Sequence, residues 1–137
     1  MRSEESISRE TPLRKIASLV SSIIAWNEGS VSDVILFGSV ARGEENVESD
    51  VDLLVLVEGS EGWAIRRRLY DLIYPIITSL GVDISLIVIE KKQFVKMVKA
   101  GEPFAKSVLI DGVQLYGMLA EHHRGSFTEG LRKIEGC

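Results

Sequence analysis

The chain has 137 residues, 45% of them hydrophobic, which is enough for one compact domain and too few for two of ordinary size. Its formal charge of −4 and pI near 5.2 argue against a broad basic surface that binds DNA or RNA through phosphates. No apolar run approaches the roughly 20 residues that cross a bilayer, and the polar start lacks the apolar core of a secretion signal. The only cysteine is Cys137, which excludes an internal disulfide, so we expect a cytoplasmic protein.

The first half of the chain predicts one helix followed by two strands. Thr11 and Pro12 are typical of a helix start, and apolar residues then recur on one helical face until Asn27. Short runs rich in β-branched residues predict buried strands at 34–37 and 51–57.

The second half continues the alternation of helices and strands. Apolar residues repeat at helical spacing through 65–80, although Pro75 is expected to kink or split that helix. A strand, two helices and a last strand are predicted at 82–89, 94–98, 103–110 and 113–116. This order predicts an α/β (α+β) fold with a small mixed β-sheet flanked by helices. We expect one domain over 1–117 with a frayed start at 1–10, and a C-terminal tail over 118–137.

A glycine and a serine directly follow the first predicted strand. Gly38 allows a sharp turn and the close approach of another group, and Ser39 offers a hydroxyl and an amide donor. A short helix through 40–42 would present its free N–H groups to the same place, which suits phosphate oxygens. Taken alone, a Gly-Ser pair is more typical of an ordinary turn between a strand and a helix.

Two aspartates follow in the pattern G-S-x10-D-x-D, at the start of the second strand. Residues two apart on a strand share a face, so the carboxylates of Asp50 and Asp52 point the same way. Two like charges on a residue type that disfavours strands impose a local cost, which a divalent cation such as Mg²⁺ removes. The competing interpretation is a solvated strand entrance.

A third aspartate, Asp83, opens the third predicted strand and shares a face with Ser85. If strands two and three are neighbours, three carboxylates meet at one edge of the sheet. Such a set can hold two Mg²⁺ ions about 3.5–4 Å apart, the arrangement used in phosphoryl chemistry. By itself Asp83 is better interpreted as a turn cap after Gly81, so the combination of motifs is what favours a metal site.

The glycine-serine turn, the Asp-x-Asp pair and the later strand aspartate resemble the nucleotidyltransferase superfamily of DNA polymerase beta, CCA-adding enzymes and kanamycin nucleotidyltransferase. The small size and the run GEPFAKSVLIDGVQLYG are most similar to minimal nucleotidyltransferases (MNT proteins), which are often encoded beside a HEPN partner. The resemblance covers 12–117 and implies a polymerase beta palm-like fold. It implies that Gly38 and Ser39 contact the phosphates of a nucleoside triphosphate, that Asp50 and Asp52 hold both metals, and that Asp83 completes the catalytic site.

The same resemblance implies Mg²⁺-dependent transfer of AMP from ATP to a tyrosine of a HEPN toxin, with this chain as the antitoxin. Arg42 is a further candidate for neutralising triphosphate charge, with simple solvation as the equal alternative. One alternative is modification of a small molecule, such as an aminoglycoside, together with a partner subunit. Another, from a different class, is a nucleotide-binding or toxin-neutralising interaction module without turnover. Self-association stays open, and nucleic acid is not an expected partner.

Overall fold

The computed structural model describes residues 11–46, 48–59 and 61–117, and in these ranges the chain forms five helices and four strands. The helices are α1 Pro12–Asn27, α2 Gly38–Arg42, α3 Gly62–Leu80, α4 Lys91–Lys99 and α5 Pro103–Asp111. The strands are β1 Val31–Phe37, β2 Val51–Val57, β3 Ile84–Glu90 and β4 Val113–Tyr116. The predictions for 1–10 and 118–137 lie outside the described residues. No helix in the described part of the chain is long and apolar enough to span a membrane.

The four strands form one mixed sheet in the order β3-β2-β1-β4. β1 pairs antiparallel with both β2 and β4, whereas β2 and β3 run parallel. In this register Asp52 lies opposite Phe37 on one side and opposite Ser85 on the other. The C-terminal end of β1 and the N-terminal ends of β2 and β3 therefore meet at the same end of the sheet.

Helices cover both faces of the sheet, and β2 contributes side chains to both of the resulting cores. Its odd-numbered residues pack with α1 and α3, whose buried members include Val20 and Leu69. Its even-numbered residues Leu54 and Leu56 pack with α4 and α5, where Phe94 is fully buried. The mixed α/β sheet flanked by helices is confirmed, and β2 is its central apolar strand.

The predictions for the start of the first strand and for Pro75 differ from the structure for identifiable reasons. β1 begins at Val31, three residues before the predicted start, because Asp33 inside it interrupts the apolar pattern. Asp33 is nevertheless buried, with Lys91 Nζ 3.3 Å from its carboxylate and Gln114 Nε2 donating to it at 3.0 Å. α3 is not split at Pro75, since its apolar face packs on the sheet along the whole helix and that packing outweighs one lost backbone hydrogen bond.

Candidate active site

The turn after β1 depends on glycine for two separate reasons. Gly38 has a φ of +80°, a backbone conformation that side-chain-bearing residues rarely adopt. A Cβ at this position would also clash with Oδ2 of Asp52 and lie 3.2 Å from its Cγ. The turn that was predicted to hold phosphate therefore packs directly against one of the three aspartates, a contact that the sequence spacing alone did not establish.

The short helix expected at 40–42 is present as α2, which begins two residues earlier and includes the Gly-Ser pair itself. Ser39 lies in its first turn, half-buried, and its hydroxyl donates to Oγ of Ser49 at 3.4 Å. Ser49 Oγ in turn accepts the backbone N–H of Asn46 at 2.8 Å. Because Ser49 directly precedes Asp50, these bonds connect the Gly-Ser turn to the start of β2. The sequence pattern did not single out Ser49, whose role depends on how the loop folds.

The three aspartates lie at one end of the sheet, at the starts of β2 and β3. β3 begins at Ile84, two residues after the predicted start, so Asp83 directly precedes the strand and does not open it. Val51 pairs with Ile84, and the Val51 N–H donates to the carbonyl of Asp83 at 2.9 Å, so Asp83 lies beside Asp50. Paired residues on parallel strands point to the same face, and Asp52 lies two residues further along β2. The pairing thus places all three residues at the same end of the sheet, and of the three only Asp52 lies within a strand.

The side chains of Asp50, Asp52 and Asp83 differ in their exposure to solvent. Asp50 and Asp83 are exposed, and Asp52 is partly buried. Among the described residues, no three His, Cys, Asp or Glu side chains are gathered into a group that could hold a metal ion. The electrostatic partner of Asp52 within the triad is Asp50. The predicted gathering of the three carboxylates around a metal ion therefore stays a prediction.

Asp52 is in an unfavourable environment for a negative charge. Burial raises the pKa of its carboxyl group, the charge of Asp50 raises it further, and Arg42 acts in the opposite direction. A cation bound to Asp50 and Asp52 would offset both destabilising effects. Carboxylate oxygens are the ligands that Mg²⁺ prefers, so the chemistry of this donor set fits the predicted metal.

Arg42 lies at the end of α2, within electrostatic reach of the aspartates. Its Nε is 2.9 Å from Oε1 of Glu44, and both side chains are exposed. The hydrogen bond that Arg42 donates to Glu44 raises the pKa of Arg42, with smaller contributions from the charges of Asp111 and Asp52. Asp111 ends α5 and lies 69 residues after Arg42, so no local sequence pattern connects the two.

A mixed sheet with a glycine-serine turn and three aspartates at one end is typical of a nucleotidyltransferase. The sequence model of the nucleotidyltransferase domain family matches residues 15–116, and the chain belongs to this family. A candidate protein adenylyltransferase of Methanocaldococcus jannaschii is 32% identical over 103 residues, which cover 75% of this chain and 96% of the relative. The chain is therefore a nucleotidyltransferase-domain enzyme by family, and the predicted family membership is confirmed.

Solved structures share the fold at low sequence identity. A toxin-antitoxin complex with AMP-PNP aligns with a TM-score of 0.58 at 18% identity, covering 87% of this chain and 86% of the matched chain. A Shewanella oneidensis complex of a tri-AMPylated HEPN toxin with its MNT antitoxin aligns with a TM-score of 0.53 at 17% identity, covering 89% and 87%. A candidate nucleotidyltransferase from Sulfolobus solfataricus aligns with a TM-score of 0.51 at 22% identity, covering 79% and 83%. These likenesses concern the fold.

Proposed function

We propose that this chain transfers AMP from ATP to a tyrosine hydroxyl of a HEPN-family partner and acts as the antitoxin of that pair. The observation that carries the proposal is the packing of Gly38 against Asp52, beside Asp50 and Asp83. It joins a turn suited to phosphate with carboxylates suited to a divalent cation. The M. jannaschii relative supports a protein as the acceptor. The S. oneidensis complex, which contains an AMPylated HEPN toxin and an MNT antitoxin, supports the partner class.

Each site residue has a defined task in this reaction. The backbone of Gly38 and the hydroxyl of Ser39 would bind the β- and γ-phosphates of ATP. Asp50 and Asp52 would hold two Mg²⁺ ions, with Asp83 completing the site of one of them. When bound, the ions supply positive charge that stabilises the reacting α-phosphate and the departing pyrophosphate.

The transfer itself exchanges one P–O bond for another. The tyrosine oxygen forms a bond to the α-phosphorus, and the bond from that phosphorus to the oxygen bridging to the β-phosphate breaks. Pyrophosphate leaves, and the phenolic proton passes to a carboxylate oxygen of Asp83, which is exposed and can face the acceptor. The tyrosine then carries a bulky anionic group, which would block the partner by charge and size.

Arg42 would change partners when the nucleotide binds. Its contact with Glu44 is an exposed ion pair, which water and salt screen effectively. A triphosphate carries more negative charge than one carboxylate and offers pairs of oxygens that a planar guanidinium can bind with two hydrogen bonds. Arg42 would therefore exchange Glu44 for the triphosphate at low cost.

The test is transfer of label from ATP in the presence of Mg²⁺. The protein is incubated with ATP labelled at the α-phosphate, with and without the product of the neighbouring gene. The proposal predicts label on a tyrosine of the partner, located by peptide mass spectrometry. ATP labelled at the γ-phosphate is the matched control and should leave the partner unlabelled, because the γ-phosphate departs with pyrophosphate.

Two outcomes would contradict the proposal. Label on an aminoglycoside or another small molecule instead of protein would favour the small-molecule alternative. Absence of any label, combined with toxin neutralisation that survives in an Asp50→Asn/Asp52→Asn variant, would make the chain an interaction module that acts by contact.

A further inference from the structure

α2 is too short to be stable without outside contacts. It has five residues, and the last carbonyls of any helix lack partners within the helix. Arg14 of α1 supplies two donors to these carbonyls from another helix: its Nη2 donates to the carbonyl of Ala41 at 2.6 Å and its Nε to that of Val40 at 3.3 Å. Hydrogen bonds from a charged donor are stronger than neutral ones, and two from one planar group fix direction as well as distance.

Arg14 is itself held in place by the start of α1. Thr11 caps this helix, and its Oγ1 accepts the backbone N–H of Arg14 at 3.2 Å. Pro12 occupies the first turn, and Ala17 and Val20 anchor the following turns in the core. The guanidinium of Arg14, which is partly buried, is therefore connected to the hydrophobic core through a capped and packed helix.

The position of α2 determines the geometry of the Gly-Ser turn. Gly38 and Ser39 form its first turn, and the two carbonyls that Arg14 contacts belong to its last. A shift of α2 would move the Ser39 hydroxyl and open the contact between Gly38 and Asp52. Displacements of about 1 Å at such positions cost large factors in binding and rate.

We infer that Arg14 is a positioning residue, which fixes α2 and thereby the turn that binds the β- and γ-phosphates. The inference rests on the proposed function, because it assumes that the turn binds a triphosphate. We expect no direct contact between Arg14 and the nucleotide, because the guanidinium donates hydrogen bonds to carbonyls in the last turn of α2. Losing it should therefore weaken recognition of the phosphate tail specifically.

The test compares ATP with AMP, which lacks the phosphates that the turn would bind. Affinities for both, with Mg²⁺ present, are measured by calorimetry on the wild type, Arg14→Met and Arg14→Lys. Lys15→Met is the matched control, because it removes the same charge from the same turn at an exposed residue. We expect Arg14→Met to reduce the ATP-over-AMP preference by about tenfold or more, as loss of a charge-assisted contact implies, with AMP affinity nearly unchanged.

Arg14→Lys should fall between Arg14→Met and the wild type, since one ammonium cannot reproduce the two-pronged contact. Lys15→Met should keep the wild-type preference. An unchanged ATP-over-AMP preference in Arg14→Met would overturn the inference while leaving the proposed function intact. A wild type that binds ATP no better than AMP would instead contradict the phosphate-binding role of the turn, and the positioning role with it.

If Arg14→Met does not fold, amide hydrogen exchange of Arg14→Lys and Lys15→Met tests the inference instead. The amides of Gly43 and Glu44 donate to carbonyls of α2, at 3.2 Å to Val40 and 2.9 Å to Ser39. The inference predicts faster exchange of these two amides in Arg14→Lys than in Lys15→Met. Equal exchange in the two variants would mean that α2 is held without Arg14.

Discussion

Asp52→Asn is expected to abolish nucleotidyl transfer while it stabilises the folded protein in the absence of metal. The substitution keeps the shape of the side chain and removes the charge that a divalent cation requires. We expect the rate of transfer to fall by at least about 10³-fold. Losses of this size follow when an active site loses a group that stabilises charge. The measurement is the rate of label transfer from α-labelled ATP.

The opposite effect on stability follows from the pKa of Asp52. Burial and the charge of Asp50 raise this pKa above its ordinary value of 3.8, so the folded state binds the proton more tightly than the unfolded chain does. Stability therefore decreases as pH rises from 3.8 through the higher folded pKa, and the full cost is present at neutral pH. Asparagine carries no charge and avoids this cost, so Asp52→Asn should have the higher Tm at pH 7.5 in EDTA. The difference should shrink as the pH approaches 3.8.

In Mg²⁺, we expect the wild type to have a higher Tm than Asp52→Asn. A ligand that binds only the folded state raises Tm, so Mg²⁺ should stabilise the wild type and have little effect on Asp52→Asn. Asp71→Asn is the matched control, because Asp71 is exposed on α3 at the opposite face of the sheet. It should keep both the activity and the Mg²⁺ response. Substantial transfer by Asp52→Asn, or a Tm below that of the wild type in EDTA, would contradict the role assigned to Asp52.

Gly38→Ala should reduce the rate of transfer by about 10²-fold or more, because the added methyl group pushes the Gly-Ser turn and Asp52 apart. Alanine at a φ of +80° is strained, and its Cβ would clash with the Asp52 carboxylate. Strained backbone of this kind costs roughly 1–3 kcal/mol, and the clash adds to it unless Asp52 moves away from its metal-binding position. Both activity and the free energy of unfolding are measured, the latter by urea denaturation.

Two further variants separate the strain from the clash. Gly59→Ala introduces alanine at a φ of +105° where no atom lies within 4 Å, far from the three aspartates. It should lose stability and keep activity. In an Asp52→Ala background, the destabilisation caused by Gly38→Ala should become smaller, because the carboxylate that it meets is gone. Full activity in Gly38→Ala, or an equal stability loss in both backgrounds, would show that the contact with Asp52 does not matter.

The sequence could predict those parts of the site that depend on strand geometry. Two-residue periodicity placed Asp50 and Asp52 on one face, and it assigned Asp83 to the face of Ser85. The predicted meeting of Asp83 with the other two requires β2 and β3 to be neighbours. The parallel pairing confirms that the two strands are neighbours, and the meeting of the carboxylates stays a prediction. Their roles in metal binding and catalysis remain predictions.

Long-range contacts are the part that the sequence could not provide. Arg14 reads as one of several charges on an amphipathic helix, and its bonds to Val40 and Ala41 bridge 26 and 27 residues. In the sequence, Asp33 looks like an interruption of a strand. Its burial is explained only by the ion pair with Lys91, which is distant in the chain. Such contacts depend on how helices and strands pack against each other, and that packing cannot be predicted from local propensity or periodicity.

The most direct test of the account is a crystal structure with Mn²⁺ and α,β-methylene ATP, in which anomalous scattering locates the metal. We expect manganese bound by the carboxylates of Asp50 and Asp52, with Asp83 turned toward one ion and the triphosphate held by Gly38 and Ser39. Manganese and triphosphate bound away from these residues, or Asp83 directed away from every ion, would contradict it.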